Sequence, residues 1–172
     1  LAANPFENLE TVEGGARLEL PLTGDIEDLN VRARADYVDK NKIVDYKFST
    51  MNQPWTDSDG NVISSLIESE NESEASSALK RALAQMSVYS RLLGGQRQGE
   101  IRHIYKDKNG AAHLEVVKLT DDLVRMADVL ANAALHEAGV LHPETTAGHL
   151  VGPNGLTQAQ IPVSNEPSQI FF

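Results

Sequence analysis

Cysteine is missing altogether from this 172-residue chain. That excludes disulfides, thiolate zinc sites and iron–sulfur clusters, and it fits an intracellular, cytoplasmic protein. Long apolar runs are missing too. None approaches the roughly 18 residues of a membrane-spanning helix, so no membrane association is expected. A secretory leader is not expected either, because residues 1–30 hold seven acids and a single arginine, the wrong charge for one. The chain opens on Leu1 rather than Met, as a processed product or a piece of a longer polypeptide would. Nothing repeats at a fixed period. Neither a Gly-x-x-x-x-Gly-Lys-Ser/Thr loop nor a Gly-x-Ser-x-Gly elbow occurs, which weighs against an unrelated phosphoryl-transfer enzyme or hydrolase. His136, His142 and His149 stand at no zinc-ligand spacing and are expected on the surface.

Basic side chains are the scarcer charge, 15 against 25 acids, for a net charge of −10. Taken whole, that balance argues against a general nucleic-acid binder, since phosphate contacts need lysine and arginine. The distribution says otherwise. Residues 31–49 hold five basic and three acidic side chains, and residues 80–119 hold eight and three. The remaining positions are overwhelmingly acidic, so a locally positive working surface on an acidic body is expected.

What is present suits one soluble domain: 41% apolar and 23% charged residues, at a length that can bury a real core. "RLELPL" (17–22), "NVRARADYV" (30–38) and "KIVDYKFS" (42–49) alternate apolar and polar residues and predict three strands in an antiparallel meander. Val44, Tyr46 and Phe48 form the expected apolar face of the third. Residues 50–74 contain six acids and no Lys or Arg and predict a mobile insertion or lid with a short helix over 65–70. Its acidic 57–74 stretch is a solvated loop or, in the alternative, covers a positive groove when nucleic acid is absent. "SEASSALKRALAQMSVYSRLL" (73–93) places Leu79, Leu83, Met86 and Leu93 on one helical face, with Gly94-Gly95 as its stop. Asn109-Gly110 marks a hairpin within 100–119, and Thr120 caps a last helix to about residue 137. Residues 1–138 thus form the core, with the acidic insertion over 50–74. Residues 139–172 read as an extended tail ending in Ile170-Phe171-Phe172, which packs on its own domain or docks on a protein partner. The fold class is α/β: a mixed central sheet built on an antiparallel meander and flanked by helices.

The hairpin over 30–49 holds the chemistry. A turn at Lys40-Asn41 sets Asp36 opposite Asp45, and directly opposed residues share a face with Cβ atoms about 4.5–5.5 Å apart. Period two adds Lys47 to that face, with Arg34 across from it. Like charges so placed destabilise a sheet unless something compensates. A divalent metal is the natural candidate, with Mg²⁺ held by one or two carboxylates. The alternative is a solvated strand face on which Lys47, Arg34 and Arg32 neutralise the two aspartates.

"ADYVDKNKIVDYKFS" resembles the core of the PD-(D/E)XK nucleases in their RecB-like branch: an Asp on one strand, Asp36, and an Asp/Glu-x-Lys on the next, Asp45-Tyr46-Lys47. The same family carries Gln-x-x-x-Tyr on the helix after these strands, and "QMSVY" supplies Gln85 and Tyr89, one turn apart on a single face. The resemblance covers residues 16–137. It implies a restriction-endonuclease-like core and a Mg²⁺- or Mn²⁺-dependent DNA nuclease, an exonuclease of recombination, repair or phage DNA processing. Asp36, Asp45 and the Tyr46 carbonyl would hold metal. Lys47 would be catalytic, and Gln85 and Tyr89 would serve the active site. Arg32, Arg34, Arg81 and Arg91 would hold DNA. The family's first motif lies on a helix before the strands, for which this sequence offers Glu19 as a substitute metal ligand. The rival reading is a nuclease-fold module without catalysis, serving DNA binding or protein assembly.

Overall fold

The computed structural model describes residues 16–49, 53–141 and 169–172. Strand β1 (Arg17–Ile26) returns as β2 (Leu29–Val38) through Glu27-Asp28, both at positive φ. That is the backbone twist which lets a two-residue turn join right-twisted strands. The register runs from Arg17 opposite Val38 to Ile26 opposite Leu29. Leu20, Leu22, Ala33 and Ala35 are buried on its inner face. Strand β3 (Lys42–Ser49) follows a turn fastened by Asp39, whose Oδ1 accepts the N–H groups of Asn41 and Lys42.

The meander is real but shallow. β2 and β3 pair only at Tyr37 opposite Val44 and Val38 opposite Ile43, and beyond that point they fork. The β2 edge that β3 leaves is taken by β6 (Ile170–Phe171), running parallel with Val31 opposite Ile170 and Arg32 opposite Phe171. Phe172 donates its N–H to the Arg32 carbonyl and packs against the buried core. Of the two expectations for the Ile-Phe-Phe segment, packing on its own domain is therefore what the fold displays. Residues 142–168 of the expected tail, with His142 and His149, lie outside the described residues, as do 1–15.

After the short helix α1 (Ser64–Ile67), helix α2 (Glu74–Leu92) begins with the Ser73 side chain accepting the Ser76 N–H. Its apolar face buries Leu79, Leu83 and Met86, each such side chain worth roughly 1.5–3 kcal/mol by transfer. α2 is the crossover that a parallel pair requires: strand β4 (Gln98–Lys106) runs parallel to β3, and β5 (Ala112–Lys118) returns antiparallel to it. The order is β1-β2-β3-β4-β5, with β6 on β2, a mixed six-stranded sheet. Helix α3 (Asp121–Leu141) packs on α2 and on the far end of the first hairpin. It continues past residue 137, and at Gly139 the missing Cβ lets the helix approach the Leu29 side chain closely.

Two expectations change. On β3 only Val44 of the expected apolar face is buried, while Tyr46 is 38% and Phe48 77% exposed. The other face, with Ile43, Asp45 and Lys47, lies beneath α2, because the sheet turns its mixed face toward the helix. The described part of the acidic segment is not loose either. Trp55 and Leu66 are buried in the core, Ser76 Oγ donates to the Leu66 carbonyl, and Lys80 Nζ donates to the carbonyls of Glu68 and Asn71.

Candidate active site

Asp36 and Asp45 stand where β2 and β3 part. The register carried one step further sets them opposite each other, but no backbone ladder joins them. Instead Asp36 Oδ2 accepts the Tyr46 N–H at 2.8 Å, so a carboxylate replaces the missing strand partner. In an extended strand the N–H and C=O of one residue point the same way. The Tyr46 carbonyl therefore also faces the fork and not β4.

Asp45 is 2% exposed. Burial pushes its carboxyl up to about 6; the Lys47 ammonium opposes that shift, and Asp36 adds to it. Lys47 Nζ lies 2.9 Å from Asp45 Oδ2, yet that oxygen has no partner aligned for a hydrogen bond. The contact is an ion pair with acceptor capacity to spare. Two adjacent carboxylates, one of them buried, resist being charged together. Asp36, Asp45 and the fork-facing carbonyl are an all-oxygen donor set of the kind that hard divalent cations take.

Helix α2 covers the fork. Burial holds the Tyr89 phenol above its ordinary value, with Asp45 and then Asp36 as further causes, so the ring's polar end lies in the field of both carboxylates. One turn earlier, Gln85 has its Oε1 buried without a hydrogen-bond partner. The i, i+4 pair read from the sequence thus shares the face of α2 that meets the aspartates.

The arginines divide. Arg34 and Arg81 line a cleft of about 760 Å³ together with Gln85 and Tyr89. Arg34 does not sit across from Lys47, because the β2–β3 ladder ends before reaching it; Pro21 of β1 is its partner. Arg32 places its guanidinium over the Phe171 ring. Arg91 points elsewhere, donating to Asn132 and to the Asp128 carbonyl on α3. Glu19 is exposed, with φ of 47° breaking the regular course of β1. Among the described residues no three His, Asp or Glu side chains converge on a metal position, so Glu19 does not complete a set with Asp36 and Asp45.

Sequence reading missed what lies beside Lys47. A second cleft of about 380 Å³ is lined by Lys47, Ser49, Trp55, Glu74, Arg81 and Gln85. Lys47 is also the β3 partner of His103 on β4, a fully buried imidazole stacked on Trp55 with ring centroids 3.7 Å apart. His103 Nδ1 is 2.7 Å from Glu115 Oε1. Glu115 also accepts the N–H groups of Trp55 and Thr56 and the Thr56 hydroxyl. Burial alone would raise that carboxyl; these hydrogen bonds outweigh it and hold it below the usual range. The sequence did not give this pairing: a two-residue turn at Asn109-Gly110 would set His103 opposite Val116, whereas the loop spans three residues, with Asp107 and Ala111 bonded across it, and the register shifts by one to Glu115.

The fold has a solved counterpart. A crystal structure from Eubacterium rectale of a protein provisionally named an exonuclease superimposes with a TM-score of 0.52 at 14% identity, over 80% of this chain and 49% of that one. The chain thus spans about half the length of that protein, and the likeness is one of fold. No protein-family model and no curated protein matches the sequence. No helix among the described residues is long and apolar enough to cross a membrane.

Proposed function

We propose that the protein is a divalent-metal-dependent nuclease that hydrolyses DNA phosphodiester bonds, acting as an exonuclease. One observation carries the reading: two carboxylates, a lysine and an unpaired backbone edge meet at the sheet fork, under a glutamine and a tyrosine from α2. The fold shared with a protein provisionally named an exonuclease supports it. Asp36, Asp45 and the Tyr46 carbonyl are the residues that would hold Mg²⁺ or Mn²⁺. Once bound, the cation supplies positive charge against the phosphate and makes water more acidic. In the hydrolysis, a water oxygen bonds to phosphorus, the bond to the leaving sugar oxygen breaks, and a proton ends on that oxygen. Asp45 holds Lys47 in place, and the lysine ammonium orients the water or offsets the charge growing on phosphate. Gln85 and Tyr89 position the scissile phosphate, while Arg34 and Arg81 hold the strand.

End-labelled linear DNA incubated with Mg²⁺ or Mn²⁺, beside Lys47→Ala, tests the proposal. Metal-dependent shortening that the variant loses is the expected result, and the ladder gives the polarity. Equal shortening by both proteins overturns the role of Lys47.

One observation favours a second reading, a nuclease-fold module without catalysis: among the described residues two carboxylates converge at the fork, not three. Nucleic-acid binding with no cleavage under any divalent metal would select it.

A further inference from the structure

The short strand β6 lies in the fork, and its residues alternate. Ile170 and Phe172 turn inward and pack against buried residues of β2, α2 and α3. Phe171 turns outward and is 68% exposed, with the Arg32 guanidinium carbon 5.9 Å from its ring centre. It lines the larger cleft together with Arg34, Arg81, Gln85 and Tyr89. The smaller cleft beside Lys47 shares Arg81 and Gln85 with it. The two clefts therefore lie side by side on α2.

Two features of the larger cleft select a ligand. Arg34 and Arg81 line it, and the Arg32 guanidinium stands over the Phe171 ring at its edge, so it offers positive charge to an anion. An aromatic face beside a guanidinium is how proteins hold unpaired bases, since every base has a π-face to stack. Bases inside a duplex already have both faces covered by their neighbours.

We infer that the larger cleft takes a single-stranded nucleic-acid end, with Phe171 as the stacking platform for an unpaired base whose flanking phosphates meet Arg34 and Arg81. The inference rests on the nucleic-acid part of the reading above and names its substrate class.

The test is binding of a fluorescein-labelled 12-nucleotide single strand and of a blunt hairpin duplex in EDTA, where no cleavage occurs. It compares the full chain with Phe171→Ala and Phe171→Trp and adds a cleavage assay with Mg²⁺ or Mn²⁺. The expected result is a preference for the single strand. Phe171→Ala should weaken its binding about five- to hundredfold with an unchanged thermal melt, and Phe171→Trp should restore it. In cleavage, Phe171→Ala raises KM for the single strand more than it lowers kcat. Equal affinity for duplex and single strand, or an alanine variant that binds like wild type, overturns the inference while leaving a cleaving enzyme in place. Binding that depends on Phe171 without any cleavage upholds it and removes the nuclease. A wild-type chain that neither binds nor cleaves ends both.

Discussion

Asp36 reaches across the sheet fork to take the Tyr46 backbone N–H, 2.8 Å from its Oδ2. One carboxylate thereby does two jobs: it closes the hydrogen-bond account of a strand that has lost its neighbour, and it stands beside Asp45 as a candidate ligand.

These two jobs separate by mutation. Asp36→Asn keeps an acceptor for the Tyr46 N–H and should leave stability within about 1 kcal/mol of wild type, whereas Asp36→Ala leaves that donor without its partner and costs about 0.5–1.5 kcal/mol. Both should abolish cleavage. Urea melts beside the nuclease assay check it; equal stability losses would mean that the hydrogen bond contributes little.

Asp45 sets a pH dependence. Its carboxyl rises from 3.8 to about 6 on folding, so the folded chain holds that proton more tightly than the unfolded one. The contribution to stability is most favourable below the unfolded value and declines as pH rises from about 4 to about 6. Asp45→Asn removes the buried charge and should make the metal-free protein more stable at pH 7, by on the order of 1–3 kcal/mol, with no gain left at pH 4. Added Mn²⁺ should stabilise wild type at pH 7 and not the variant. Thermal melts at the two pH values decide; a destabilised variant at pH 7 would show that the charge is welcome in the fold.

Glu115 is expected to behave in the opposite sense. Its lowered carboxyl contributes stability above its ordinary value, and that contribution is lost as pH falls through the folded value. Glu115→Ala strips partners from Trp55, Thr56 and His103 together and should cost about 2–5 kcal/mol. Limited proteolysis should then cut within residues 53–63 first. Uniform digestion across the chain would argue that the loss is global instead.

Arginine substitutions should sort by where each side chain ends. Arg34→Ala and Arg81→Ala should each weaken DNA binding and reduce its salt slope by about 1. Arg91→Ala should leave binding alone, because its guanidinium is engaged with Asn132 and Asp128. Titrations at several salt concentrations read this directly. A lower slope for Arg91→Ala would place the nucleic acid along α3.

The sequence was most legible where one local rule settles a question. Alternation marked β3 at its observed bounds, the apolar spacing and Gly94-Gly95 framed α2, and Asn109-Gly110 located the β4–β5 turn. Opposition of Asp36 and Asp45 followed from the Lys40-Asn41 turn alone. The fork was not legible, because alternation is the same on either side of the point where a ladder stops. The burial of Asp45 and the exposure of Phe48 escaped for a related reason: period two separates the faces of a strand without saying which one a distant helix will cover. The last helix was read to about residue 137 and runs to Leu141, a difference of one turn at an end that no local rule fixes.

The stacking of Trp55 on His103 has an optical consequence. The chain holds one tryptophan, so all of its indole emission originates at a ring lying flat on an imidazole, one strand away from Lys47. Anything that lifts the 53–56 segment or charges that imidazole alters the light from a single known place. The protein carries its own reporter for the ground beside its lysine, and titrating metal or oligonucleotide against that signal needs no label at all.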